Sequence, residues 1–161
     1  MLRFEFLNKQ EKDVWLPQLF DLLHENMKSI APSDLPYAEE KTQWIANVSP
    51  ALEKPPRQIL LCFAEETLAG YVQFYIRNDL LMVEEVQIAK SYHRSFVFWR
   101  LCRFLLEELP PEIAVVEAYA EKRNLHSLGI MRKLGMAVIG EENGFLHLRG
   151  DAAPIKEKFA K

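Results

Sequence analysis

The sequence predicts a mixed α/β domain, a central mixed sheet of about seven strands flanked by four helices. Three observations carry this. Period-two and helix-period apolar patterns follow one another along the whole chain with no long linker or repeat. The 161 residues suit one domain. A helical stripe also separates two strand-like runs, a crossover that sets those two strands parallel while tight turns make the hairpins antiparallel.

Each element has its own warrant. Leu2, Phe4 and Phe6 alternate with Arg3 and Glu5, giving a first strand with one buried face. Leu16, Leu19, Phe20, Leu23, Met27 and Ile30 recur at helical spacing, with Pro17 placed in the first turn and Ala31-Pro32 as the stop. A weaker helix follows over Tyr37 to Val48, closed by Ser49-Pro50 before the Pro55-Pro56 pair. Gln58 to Ala64, Leu68 to Ile76 and Leu80 to Ala89 read as three strands in series, turning at Glu65-Glu66 and at Arg77-Asn78-Asp79. On the last of them, alternation puts Met82, Glu84, Val86 and Ile88 on one face and Glu85 and Gln87 on the other.

Phe98, Leu101, Cys102, Leu105, Leu106 and Leu109 form the strongest helical stripe, ended by Pro110-Pro111. Ile113 to Ala118 is a short strand. Asn124 caps a helix running to about Leu134, with Gly135 just past its end. Met136 to Ile139 and Phe145 to Leu148 flank a Gly140–Gly144 loop with an Asn-Gly turn signal. Residues 1–150 form the expected domain, and residues 151–161, polar and rich in lysine, read as a loose tail.

Composition excludes several roles. A net charge of -3 offers no general attraction to nucleic acid or an anionic membrane. No stretch approaches the roughly 20 apolar residues that span a bilayer, and MLRFEFLNKQ lacks a signal's apolar core, so the cytoplasm is the expected compartment. Cys62 and Cys102 lie in apolar runs and read as free thiols without a partnered base. His24, His93, His126 and His147 have no ligand spacing, so no metal site is expected.

Two segments carry more specific information. The first is Asn124-x-x-Ser127-x-x-Ile130-Met131-x-Lys133-Leu134-Gly135-Met136, in which the Asn caps, the Ser permits close approach and the Gly reverses the chain. The second is Val86-Gln87-Ile88-Ala89-Lys90-Ser91-Tyr92-His93, a strand running into a loop. With the element order, both resemble the GNAT superfamily of N-acyltransferases over Leu2 to Arg149. The resemblance implies an acetyl-CoA-dependent transfer to an amine of a small molecule or peptide. It places pantetheine along Val86 and Ile88 and beside Asn124 and Ser127, and the pyrophosphate in the loop His93-Arg94-Ser95-Phe96-Val97-Phe98. Helix-capping and core-packing roles account for Asn124, Val86 and Ile88 equally well.

In the family that loop runs Arg or Gln, two residues, Gly, one residue, Gly or Ala. Here Phe96 and Phe98 stand at the two small positions. Either their rings turn away and leave the amides open to phosphate, or they fill the site. Arg94, Arg100 and Arg103 could pair phosphates or form a basic helix face.

Glu84 and Glu85 are the candidate bases for removing the amine proton, with an ion-paired strand carboxylate as the alternative for each. Where many relatives have a Tyr proton donor, this chain has Met131, which cannot donate. The rival expectation is therefore a GNAT-like domain without catalysis that binds a small ligand or a partner protein. Phe96 and Trp99 are candidates for a surface between two copies of the chain, a homodimer.

Overall fold

The computed structural model describes residues 1–54 and 56–161; Pro55, half of the expected Pro-Pro break, lies outside them. Along the chain come β1 (Leu2–Phe6), α1 (Lys12–Met27), α2 (Tyr37–Leu52), β2 (Gln58–Ala64), β3 (Thr67–Arg77) and β4 (Leu80–Ile88). Then follow α3 (Val97–Glu108), β5 (Val115–Glu121), α4 (Leu125–Lys133), β6 (Ala137–Glu142), β7 (Phe145–Asp151) and α5 (Ala152–Ala160). The seven strands form one sheet in the order β1-β2-β3-β4-β5-β7-β6. Among the described residues only β4 and β5 pair in parallel, across the α3 crossover, as the element order requires.

Each face of the sheet has its own core. One buries Leu60, Cys62, Val72, Phe74, Leu81, Val116, Ala118 and Leu148 against Val97, Leu101 and Leu105 of α3. The other packs Ile59, Leu61, Phe63 and Tyr71 against Leu16 and Leu19 of α1 and Leu52 of α2. Each fully buried aliphatic side chain contributes about 1.5–3 kcal/mol.

Four departures from expectation have local reasons. α1 starts at Lys12, so Pro17 lies inside the helix, where its missing N–H leaves the Asp13 carbonyl without its helical donor. α2 runs through Pro50 to Leu52, whose side chain is completely buried, so tertiary packing overrides the proline stop. The loop between β6 and β7 shrinks to Asn143 and Gly144, both at positive φ as a two-residue hairpin turn requires.

The expected tail is instead a fifth helix, α5. Ala152, Ile155 and Phe159 are its buried stripe, packed into the α3 core at i, i+3 and i+4 spacings. The lysines that suggested a tail lie on its outer side: Lys158 is exposed, and its Nζ donates to the Lys133 carbonyl at the end of α4.

Candidate functional site

β4 and β5 part company halfway along. Their pairing covers Leu80–Val83 against Val115–Ala118 and stops there, so β4 from Glu84 to Ile88 has β3 on one side and an open edge on the other. At the parting the β3–β4 ladder shifts register. Gln73 faces Glu85 while Phe74 faces Val83, which leaves Glu84 as the extra residue of a β-bulge.

The bulge corrects the expected faces. Alternation put Glu84 with Val86 and Ile88, opposite Glu85; the inserted residue resets the parity. Leu81 and Val83, then Val86 and Ile88, all face the α3 core, while Glu84 and Glu85 both turn to the α1 side. Glu84 forms a bidentate pair with Arg57, 2.7 Å from Nη2 to Oε2, and lies 3.4 Å from Gln73 Nε2.

Among the described residues no cation pairs with Glu85. It accepts from Gln87 Nε2 at 2.5 Å, and its carboxyl is pushed up to about 7 by burial, a rise that Glu84 reinforces and the Gln87 hydrogen bond opposes. Tyr71, fully buried on the same face, has a hydroxyl without a partner among the described residues, and burial and the Glu85 charge hold it protonated.

Backbone direction defines the open edge. Ala89 N–H donates to Ala69 O of β3 at 2.8 Å, so the carbonyl on the other side of that peptide, Ile88 O, points away from β3. By antiparallel alternation Val86 presents its backbone groups the same way. Ile88 O accepts from Asn26 Nδ2 of α1 at 2.8 Å and from His93 Nε2 at 2.7 Å.

The loop that follows resolves the two phenylalanines. Phe98 turns inward, its ring 6.3 Å from Phe159 of α5 and 5.6 Å from Trp99, and Trp99 lies 4.7 Å from Phe159. Phe96 is 78% exposed and packs into no core. Ser95 Oγ accepts from Val97 N–H at 3.2 Å, while among the described residues the Phe98 and Trp99 amides find no acceptor. The N-terminus of α3 therefore offers free N–H groups beside exposed Arg94 and Arg100, whereas Arg103 is paired with Glu107.

Across the gap, Asn124 caps α4 by accepting from Ser127 N–H at 3.2 Å, and Gly135 ends that helix at φ +89°. Met131 packs on the α3 core. Burial pushes the Cys62 thiol up to about 11 and the Cys102 thiol to about 12, so neither is a ready nucleophile. Among the described residues no cluster of His, Cys, Asp or Glu could hold a metal ion, and no helix is long and apolar enough to cross a membrane.

Sequence reasoning missed several residues around this edge. Asn26 comes seven residues after buried Leu19, a polar residue two turns along the buried face of α1, and that interruption was the available signal. Arg57 had none, since its role depends on the bulge. On β5 and β7, Glu117 is buried, His147 Nε2 lies against its carboxylate, Arg149 stands 3.7 Å from it, and Tyr119 stacks on His147 at 4.4 Å. These residues share the Glu85 side of the sheet; Glu117 lies opposite Met82 in the paired stretch, and Tyr119 with His147 opposite it comes just after the point where β4 and β5 part.

No protein-family model and no curated protein matches the sequence. Solved structures do match the fold. The PaiA N-acetyltransferase of Thermoplasma acidophilum, solved in complex with coenzyme A, aligns over 94% of this chain and 99% of its own at a TM-score of 0.73 and 14% identity. A GNAT-family acetyltransferase of Staphylococcus aureus aligns over 94% and 99% at 0.70 and 8%. The ribosomal-protein-S18-alanine N-acetyltransferase of Escherichia coli aligns over 94% of each chain at 0.66 and 12%. The chain has the fold of the GNAT acetyltransferases.

Proposed function

We propose that this protein is an acyl-CoA-dependent N-acetyltransferase that acetylates a primary amine by direct attack. The observation that carries the reading is the open edge of β4 beside a helix N-terminus with free amides, the two features an acyl-CoA needs. The residues fit such a ligand. Val86 and Ile88 would pair with pantetheine amides, and Asn124 and Ser127 would flank the arm. The segment His93, Arg94, Ser95, Phe96, Val97 and Phe98 would receive the pyrophosphate through its backbone and Arg94. An inward Phe98 packed near Phe159 and an exposed Phe96 are compatible with that.

Bound acetyl-CoA supplies an activated acetyl thioester, from which the neutral amine takes the acetyl group as the C–N bond forms and the C–S bond breaks; CoA leaves as its thiolate, which takes up the proton that the attacking nitrogen loses. An ammonium cannot attack, so a base must first take its proton. Glu85 suits that step: among the described residues no cation pairs with it, it is partly buried, and its carboxyl is pushed up to about 7, close to the pH at which a base is most effective. Glu84 is ion-paired with Arg57, and its carboxylate adds to the rise of the Glu85 carboxyl. The acceptor would approach on the side of Tyr119, Glu117 and His147, where a carboxylate and two aromatic faces suit a cationic amine.

Calorimetric titration with acetyl-CoA, with desulfo-CoA as a binding-only control, tests the reading. Micromolar binding of both, followed by acetylation in an amine screen, is the expected result. No heat and no thermal shift at millimolar ligand would leave the cofactor-free binding domain as the better reading.

A further inference from the structure

The cofactor edge of β4 is already in use by the chain itself. Ile88 O faces the open side, and both of its lone pairs are engaged, one by Asn26 Nδ2 and one by His93 Nε2. A pantetheine N–H can bond this carbonyl only by displacing one of the two.

Asn26 is the more consequential partner. Its Nδ2 also donates to Gln87 Oε1 at 2.9 Å, and Gln87 Nε2 in turn donates to Glu85. The amide cannot be turned over, because Ile88 O only accepts and must face Nδ2. In this orientation Asn26 Oδ1 is buried with no partner among the described residues, so the resting arrangement carries an unmet acceptor and is the easier to displace. One side chain of α1 thus joins the cofactor edge to the candidate base through a single intervening residue.

We propose that Asn26 is a positioning residue that reports occupation of the cofactor edge to Glu85: a pantetheine amide takes its place on the Ile88 carbonyl, and Asn26 releases Gln87 from its bond to Glu85. The inference rests on the acyl-CoA reading above. The groups facing Glu85 are Glu84 and Gln87 on its own strand and Tyr71 and Gln73 on β3; among the described residues, Asn26 hydrogen-bonds Gln87 alone of these. A carboxylate that loses an N–H donor becomes a stronger base. Glu85 is therefore strengthened when the thioester is in place and stays weaker when it is not.

Because Asn26 competes with pantetheine for the Ile88 carbonyl, its removal from the cofactor edge tightens binding. Calorimetric titration of the full chain with CoA should give Asn26→Ala an affinity about three- to tenfold above that of the unaltered protein, the effect of deleting one competing hydrogen bond. In nitrogen-15 spectra of the unaltered protein, the side-chain amide signals of both Asn26 and Gln87 should move as CoA saturates. A folded Asn26→Ala that binds CoA equally or less tightly overturns the proposal and leaves the acyl-CoA reading standing, and so does a Gln87 signal that stays still at saturation. Should Asn26→Ala fail to fold, the spectra of the unaltered protein decide alone. Absence of CoA binding by both proteins at millimolar ligand removes the acyl-CoA reading and this inference together.

Discussion

Glu84 and Glu85, neighbours in the chain, present their carboxylates on the same face of β4, the first bound to Arg57 and the second to Gln87. A regular strand would send them to opposite faces, so the bulge at Glu84 is what brings two negative charges together. One is then neutralised by a guanidinium and the other is left to hold a proton near neutrality. Glu85→Gln should lower turnover roughly 10²–10⁴-fold, the usual contribution of a general base. Glu84→Gln, already balanced by Arg57, should cost much less. In the unaltered protein kcat/KM should rise with pH through about 7, and equal losses from the two substitutions would show that Glu85 has no special role.

The same carboxyl makes stability depend on pH. Its folded value of about 7 stands above the ordinary 4.5, so between those two pH values the folded chain keeps a proton that the unfolded chain has released. The associated stability is fully present below about 4.5, falls as pH rises toward 7, and levels off above it. Above pH 7 Glu85→Gln should therefore be more stable than the unaltered protein by roughly 1–3 kcal/mol, the two converging near pH 4.5. Urea titrations at pH 4.5, 6 and 8 measure the gap; a gap that does not grow with pH contradicts the burial argument.

Legibility in the sequence followed the range of the interactions involved. The strands Gln58–Ala64 and Leu80–Ile88, the α3 stripe and the Asn124 cap depend on residues within one or two turns of each other, and local pattern located them. The resemblance implied pantetheine along Val86 and Ile88, and in the structure β4 has no β5 partner over that stretch. What sequence could not supply were relationships between distant segments. One extra residue opposite Gln73 inverted the face of Glu84, and partners from residues 26 and 57 arrived at β4 from α1 and from the segment before β2. The α5 stripe of Ala152, Ile155 and Phe159 is local, but four lysines or glutamates between residues 156 and 161 masked it.

Phe98 and Phe96 should behave in opposite ways. Phe98 lies between Trp99 and Phe159, so Phe98→Ala opens a cavity between α3 and α5 and should cost about 2–4 kcal/mol, allowing for its partial exposure. Phe96→Ala removes a ring that packs on nothing and should change stability by no more than about 0.5 kcal/mol. Phe159→Ala should imitate Phe98→Ala because the two rings share one contact. Thermal melts of the three variants check the ranking, and a destabilised Phe96→Ala would mean that its ring is covered in solution, as an association between copies would require.

Gly70 offers the most direct test of the cofactor edge, because it sits opposite Ile88 in the ladder. A Cβ added there would lie 2.7 Å from Ile88 Cδ1 and 2.8 Å from Gln87 O. The first neighbour can swing away, but the second is backbone and cannot, so β4 must move outward. Its outward side is the open edge, where Asn26 and His93 hold Ile88 O. Gly70→Ala should cost about 1–3 kcal/mol through overpacking, and it should weaken CoA binding even where the protein remains folded, since the displaced atoms are those that would meet pantetheine. Gly129→Ala is the matching control: its Cβ meets nothing within 4 Å inside α4, and alanine in a helix interior should add about 0.5–1 kcal/mol of stability. Calorimetry and melting on both variants separate the effects. If Gly70→Ala binds CoA as tightly as the unaltered protein, the edge opposite Gly70 is not where the ligand sits.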